Sequence, residues 1–186
     1  MSVRADARRN YEQLVEQAKL AFAEFGADAS LDEIARRAGV ASGTLYRHFP
    51  TRLDLIEVVL AEQIGELVAL GRWLLAADDE FDALAGWLRA ALGHGLTYQG
   101  LSAAMLNSAL GQDAASAWHA DLFEIAEALL ARARRSGRVV ADANPADVLK
   151  LIGAIALAGP DDPAQADRLF ALVMNGLVMN GLASGR

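Results

Sequence analysis

The run from Ser30 to Phe49, Ser-Leu-Asp-Glu-Ile-Ala-Arg-Arg-Ala-Gly-Val-Ala-Ser-Gly-Thr-Leu-Tyr-Arg-His-Phe, leaves this chain few ways to fold. Its first half reads as a short helix. Ser30 is placed to cap it, and Glu33 three residues on would complete a capping box. Leu31, Ile34, Ala35 and Ala38 share one face at helical spacing. Gly39 supplies a residue that tolerates positive φ where the helix must end tightly. Val40 then plugs the corner, and a second short helix is expected from about Ala41 or Ser42 through Tyr46. Leu45 would point inward with Val40 and Phe49. Ser42, Gly43, Thr44, Tyr46, Arg47 and His48 would point outward. Two short helices joined by a glycine-containing turn, with a polar outer face on the second, form the helix-turn-helix pattern.

That outward set suits DNA. Ser42 and Thr44 offer small hydroxyls, and Gly43 has no side chain to keep the backbone from a groove. Tyr46, Arg47 and His48 offer a phenol, a guanidinium and an imidazole to phosphates or base edges. A helical hairpin with a merely solvated face fits the same pattern.

The segment resembles the DNA-binding head of the TetR family of bacterial transcriptional regulators. The resemblance lies in Ala35, Gly39, Val40, Gly43-Thr44-Leu45-Tyr46, His48-Phe49 and Pro50-Thr51-Arg52. Upstream, Ala21-Phe22 and Glu24-Phe25-Gly26 resemble the end of that family's first helix. The likeness is detailed over about residues 8 to 60. One departure is Leu31 after Ser30, where the family often carries a second Ser or Thr. The resemblance implies an all-α fold with a three-helix DNA-binding head, residues 1–54, and a helical ligand-binding and dimerisation body, residues 55–186. The implied function is a ligand-responsive repressor that releases a near-palindromic operator in the cytoplasm. Ser30, Ser42, Gly43, Thr44, Tyr46, Arg47, His48 and Arg52 are the expected DNA-binding residues.

A net charge of −7 is at odds with DNA binding until it is located. Residues 1–54 hold eight Lys/Arg and eight Asp/Glu, whereas residues 55–186 hold nine and sixteen. The whole deficit lies outside the head, and an acidic body discourages nonspecific contact with nucleic acid. Arg4, Arg8, Arg9, Arg36, Arg37, Arg47 and Arg52 are placed to form a phosphate-facing rim, or else a solvated face of local ion pairs. Hydrophobic residues make up 54% of the 186, enough for a buried core. There are 0 cysteines, so neither disulfides nor thiolate chemistry arise. The arginine-bearing N-terminus does not read as a signal peptide, and no run is apolar for the ~18 residues a membrane span needs.

Periodicity predicts about nine helices and no strand. An N-terminal arm of about seven residues precedes the first helix, Ala7 to Phe25, whose stripe is Tyr11, Leu14, Val15, Ala18, Ala21, Phe22 and Phe25. Thr51 with Asp54 caps the fourth helix, which reaches about Leu75. The fifth runs from Phe81 to Tyr98, the sixth from Leu101 to Leu110, and the seventh from Asp113 to Ser136. Asn144-Pro145 opens the eighth, apolar nearly all round from Leu149 to Gly159. The ninth runs from Ala164 toward Gly181, and Gly176 either lies within it or ends it. Helices eight and nine of two subunits would close a four-helix bundle, making a homodimer with Ile155 on the shared face.

Nothing in the chain reads as catalytic. His48, His94 and His119 show no zinc spacing, and neither a nucleophile elbow nor a phosphate-cradling loop is present. No metal or cofactor is expected, and a double-stranded DNA operator is the expected partner. Trp87, His94, Tyr98, Met105 and Trp118 are candidates to line a pocket for an unknown small-molecule effector, although an ordinary helical core looks the same. A helical interaction module, or a small-molecule-binding or enzymatic bundle, are the competing readings. A basic face around Arg47 and Arg52 separates DNA binding from both.

Overall fold

The computed structural model describes residues 3–98, 101, 111–158 and 162–178, the side chains of 3, 4, 111–119 and 163 excepted. These form α1 (Val3–Phe25), α2 (Leu31–Arg37), α3 (Ser42–His48), α4 (Arg52–Leu74), α5 (Glu80–Thr97), α6 (Gly111–Arg135), α7 (Pro145–Ala158) and α8 (Pro163–Leu177). No strand forms among the described residues; Val139 and Val178 make one isolated antiparallel bridge. The protein is all-α. The expected helix from Leu101 to Leu110 lies outside the described residues except for Leu101, which is buried. The described α7 and α8 are therefore the eighth and ninth helices of the sequence reading.

The chain divides into two compact units, one of residues 1–63 with 97–116 and one of 64–96 with 117–186. In the first, α1 packs on α2 and α2 on α3. Its core takes Leu14, Phe22, Ile34, Leu45, Leu55 and Ile56, each fully enclosed. Burying one such side chain contributes about 1.5–3 kcal/mol. The N-terminal arm expected up to residue 7 is instead helical from Val3. Asp6 pairs with Arg9 at 2.6 Å and Arg8 with Glu12 at 2.8 Å, the i,i+3 and i,i+4 spacings that support an exposed helix start. Phe25, expected in the apolar stripe, is 55% exposed. Gly26 turns the chain away directly after it with φ +68°, and the Arg37 guanidinium lies 5.8 Å from its ring centre.

In the second unit α5, α6, α7 and α8 enclose Leu84, Trp87, Leu129, Ile152 and Phe170. Trp87 is wholly enclosed and its indole N–H donates to the Leu67 carbonyl at 2.9 Å. Arg132 on α6 donates to the carbonyls of Leu74, Leu75 and Ala77, which closes the C-terminal end of α4. Arg138 donates to Asp79 at 2.6 Å, and Asp79 accepts the Asp82 N–H at the start of α5. That backbone bond first, and Arg138 after it, holds the Asp79 carboxyl below the ordinary aspartate range. Asn144 caps α7 through the Ala146 N–H at 2.8 Å, as the Asn-Pro pair predicts.

Two expectations about the last helices are corrected. Ile155, placed by the sequence reading on a face between subunits, is buried within the chain among the side chains of this unit. The face left open on α7 carries Leu151 and Leu157, 52% and 72% exposed, and α8 adds Leu172 at 68%. An all-round apolar helix does not reveal which side its own chain covers. The ninth helix, expected to run toward Gly181, ends at Leu177. Val178 is extended there because the chain pairs sideways with the segment after α6, where the Val140 N–H meets the Leu177 carbonyl at 3.0 Å. Gly176 therefore lies within the last turn of α8.

Candidate nucleic-acid interface

The turn between α2 and α3 is set by Gly39, whose φ of +71° disfavours any residue with a Cβ. The N–H groups of Gly39 and Val40 close on the carbonyls of Arg36 and Ala35 at 3.1 and 3.0 Å. Ser30 Oγ accepts the Glu33 N–H at 3.3 Å, so its role inside the protein is the predicted cap. The other half of the expected box is not used. The Glu33 carboxylate turns outward and accepts from Arg36 at 2.7 Å and Arg37 at 3.0 Å. These two hydrogen bonds, Arg36 first, hold its pKa at about 2.

α3 is oriented by Leu45, fully enclosed, and by the buried Phe49. Ser42, Thr44 and His48 are then half-buried, while Gly43, Tyr46 and Arg47 are exposed, so all six stand along one short helix. A Cβ placed on Gly43 would meet nothing within 4 Å, and its φ is not positive. The fold itself therefore gives no reason for glycine at this position. Thr51 and Asp54 form the expected capping box at the start of α4, with Thr51 N–H and Oγ1 donating to Asp54 at 2.7 and 2.8 Å.

Of the two forms expected for the basic rim, Arg8, Arg9, Arg36 and Arg37 take the local ion pairs. Arg8 and Arg9 pair with Glu12 and Asp6, Arg36 with Glu33, and Arg37 with Glu33 and Glu24. Arg4 lies outside the described side chains. Arg52 is half-buried and its Nη1 donates to the carbonyls of Ala27, at 2.9 Å, and Ala29. It thus ties the start of α4 to the loop before α2. Arg47 has no hydrogen-bond or ion-pair partner among the described residues. An aromatic neighbour of this surface that the sequence pattern left out is Tyr11, read there as a core position. Among the described residues its ring stands 5.8 Å from that of His48 and 5.2 Å from that of Phe49.

The five pocket candidates fare unevenly. Trp87 is a core residue with its one donor satisfied. His94 is half-buried, and burial pushes its imidazole pKa down against the opposing charge of Glu66. Tyr98 is half-buried, Met105 lies outside the described residues, and so does the side chain of Trp118 on α6. A crevice lined by Leu84, Leu88, Ala126, Leu130, Pro145, Val148 and Leu149 has no room for a water molecule. Among the described residues no group of three His, Asp or Glu is placed to hold a metal, and no helix is long and apolar enough to cross a membrane.

Residues 14–59 match the family described as "Bacterial regulatory proteins, tetR family", and residues 79–179 match "Transcriptional regulator SbtR-like, C-terminal domain". The structure is similar to that of a TetR transcription regulatory protein from Mycobacterium vanbaalenii, with 34% identity and a TM-score of 0.72 over 95% of this chain and 99% of that one. Among curated proteins, a 60-residue stretch is 38% identical to the uncharacterized HTH-type transcriptional regulator TtgW of Pseudomonas putida. A stretch of equal length and identity matches the HTH-type transcriptional regulator SrpR of the same species. These matches cover 32% of this chain but only 45% and 28% of the two relatives, so the chain is matched to less than half of either.

Proposed function

The chain belongs to the TetR family of transcriptional regulators, DNA-binding proteins with a helix-turn-helix head, and from that premise we propose that it is a ligand-responsive repressor acting in the cytoplasm on a near-palindromic operator. One observation carries the DNA-contact surface. Arg47 stands exposed on α3 without an internal partner among the described residues, while Arg8, Arg9, Arg36 and Arg37 are neutralised within the head. A cation left unsatisfied on an exposed helix is available to a phosphate or a guanine edge. Thr44, Tyr46 and His48 flank it, Ser42 and Gly43 lead into it, and Ser30 stands at the start of α2. Arg52 retains guanidinium donors beyond those spent on the loop carbonyls.

The reading is tested by recovering bound duplexes from a random pool and repeating the measurement with Arg47→Ala. A base-reading Arg47 predicts a loss of about 1–3 kcal/mol and relaxed preference at one position. A phosphate contact predicts a uniform loss and a shallower salt dependence. Unchanged affinity removes Arg47 from the surface.

The homodimer forms, in this reading, through α7 and α8. The support is the open apolar face of Leu151, Leu157 and Leu172, which a second copy would cover by two-fold symmetry. Two heads would then meet half-sites about one DNA turn apart, roughly 34–36 Å. The effector would act through α4, one continuous helix that carries residues of both compact units. Its C-terminal end is gripped by Arg132, which is the point where a bound ligand would act on it.

A further inference from the structure

We propose that Tyr11 is a positioning residue for DNA binding, its ring on α1 fixing the imidazole of His48 at the end of the α3 surface. The proposal rests on the reading of α3 as the DNA-contacting helix.

The two rings meet edge to face, with centroids 5.8 Å apart and planes at 71°. Phe49 backs the pair, 5.2 Å from Tyr11 and tilted at 34° to it, and is itself only 2% exposed. The ring of Tyr11 thus rests on a fixed floor. His48 is the last residue of α3, and the Phe49 N–H closes that turn on the Leu45 carbonyl at 2.8 Å. Its imidazole has no hydrogen-bond or ion-pair partner among the described residues. The ring torsion of a histidine is broad when nothing confines it, and an aromatic ring packed crosswise against one side confines it. The ring nitrogens then remain for a phosphate. Burial, with the Glu62 carboxylate adding to it, raises the Tyr11 phenol above its ordinary pKa. The phenol therefore stays neutral and sets no negative charge beside the imidazole. A core role alone would be served as well by leucine, since Leu14 and Val15 continue the same stripe.

The test is a double-mutant cycle on the full chain, using a duplex recovered from the random pool and several salt concentrations. Helical content by circular dichroism is checked at the same temperature. Tyr11→Phe keeps the ring and should bind within about twofold of the parent. Tyr11→Leu should lower affinity about two- to tenfold, the worth of an aromatic edge pair. His48→Ala should do the same, and the double variant should bind no worse than the weaker single, because both act through one contact. Losses that multiply would overturn the proposal, as would a Tyr11→Phe variant as weak as Tyr11→Leu. Should Tyr11→Leu fail to fold, the His48 ring C–H resonances of the parent protein decide. The ring current of Tyr11 should displace them from the values of an exposed histidine in the free protein, and site DNA should move them again. Unshifted resonances, or resonances that saturating DNA leaves in place, refute it. A parent protein that binds no duplex at any salt concentration would instead bring down the DNA reading, and this inference with it.

Discussion

Gly43 and Gly71 should respond to the same substitution in opposite ways. Neither needs a positive φ, so Ala is admissible at both on backbone grounds. At Gly43 the added Cβ finds nothing within 4 Å, and the residue lies in the first turn of α3. Gly43→Ala should therefore raise the stability of the free protein by up to about 0.5–1 kcal/mol, from helix propensity and the reduced freedom of the unfolded chain. At Gly71 the Cβ would sit 2.1 Å from Ile125 Cγ2 and 2.8 Å from Trp87 Nε1. Neither atom is the end of a flexible side chain. The Ile125 methyl is fixed directly on its branched Cβ, and Trp87 is enclosed and hydrogen-bonded to Leu67. Overpacking there costs about 1–3 kcal/mol, and losing the Trp87 bond about 1–3 more, against about 1 gained in propensity. The net is a destabilisation of about 1–5 kcal/mol, seen as a drop of a few degrees or more in Tm at one fixed protein concentration. The functional half concerns Gly43 alone. If its backbone approaches a groove, the methyl that stabilises the free protein should weaken operator binding about tenfold or more, measured by fluorescence anisotropy. A Gly43→Ala protein that is more stable and binds operator as tightly as its parent would refute the close approach. A Gly71→Ala protein as stable as its parent would refute the packing argument.

Leu157→Glu with Leu172→Glu should give folded monomers by sedimentation with poor operator binding, because both side chains stand outside the protomer core; a parent that is itself monomeric at micromolar concentration would end the dimer reading. Ile155→Glu should instead unfold the chain, since it buries an unpaired charge. Glu33 has a folded pKa of about 2, below its ordinary 4.5. Its stabilising contribution is therefore full above pH 4.5 and is lost as pH falls toward 2. In acid titrations followed by circular dichroism, the difference between the parent and Glu33→Gln should shrink across that window and shrink with added salt. An effector found by thermal shift must bind more weakly, by one common factor, when operator is present; a ligand that stabilises the protein and leaves operator affinity untouched would leave a constitutive DNA binder.

The helix-turn-helix was legible because every device that makes it is local. The Ser30 cap, the Gly39 turn, the inward Leu45 and the Thr51–Asp54 box all act within four residues, and each stands where its spacing placed it. Helix termini at Gly26, Gly137 and Asn144-Pro145 were legible for the same reason. What the residues meet across the chain was not. The pattern left Arg36, Arg37 and Arg52 as either a phosphate-facing rim or a face of local ion pairs; their partners are Glu24 and Glu33 for the first two and loop carbonyls for the third. Periodicity puts Tyr11 in a core stripe but carries no distance to His48. The sequence left Trp87 as either a pocket wall or a core residue; its burial and its bond to the Leu67 carbonyl place it in the core. The apolar excess of α7 announced burial, while only the packing of α5, α6 and α8 decided that Ile155 turns inward and Leu157 outward. Caps and turns are fixed by neighbours a few residues away, so sequence alone determines them. Which face of a helix is covered, and which charge is neutralised, depends on groups brought together from distant positions, and that only the tertiary structure decides.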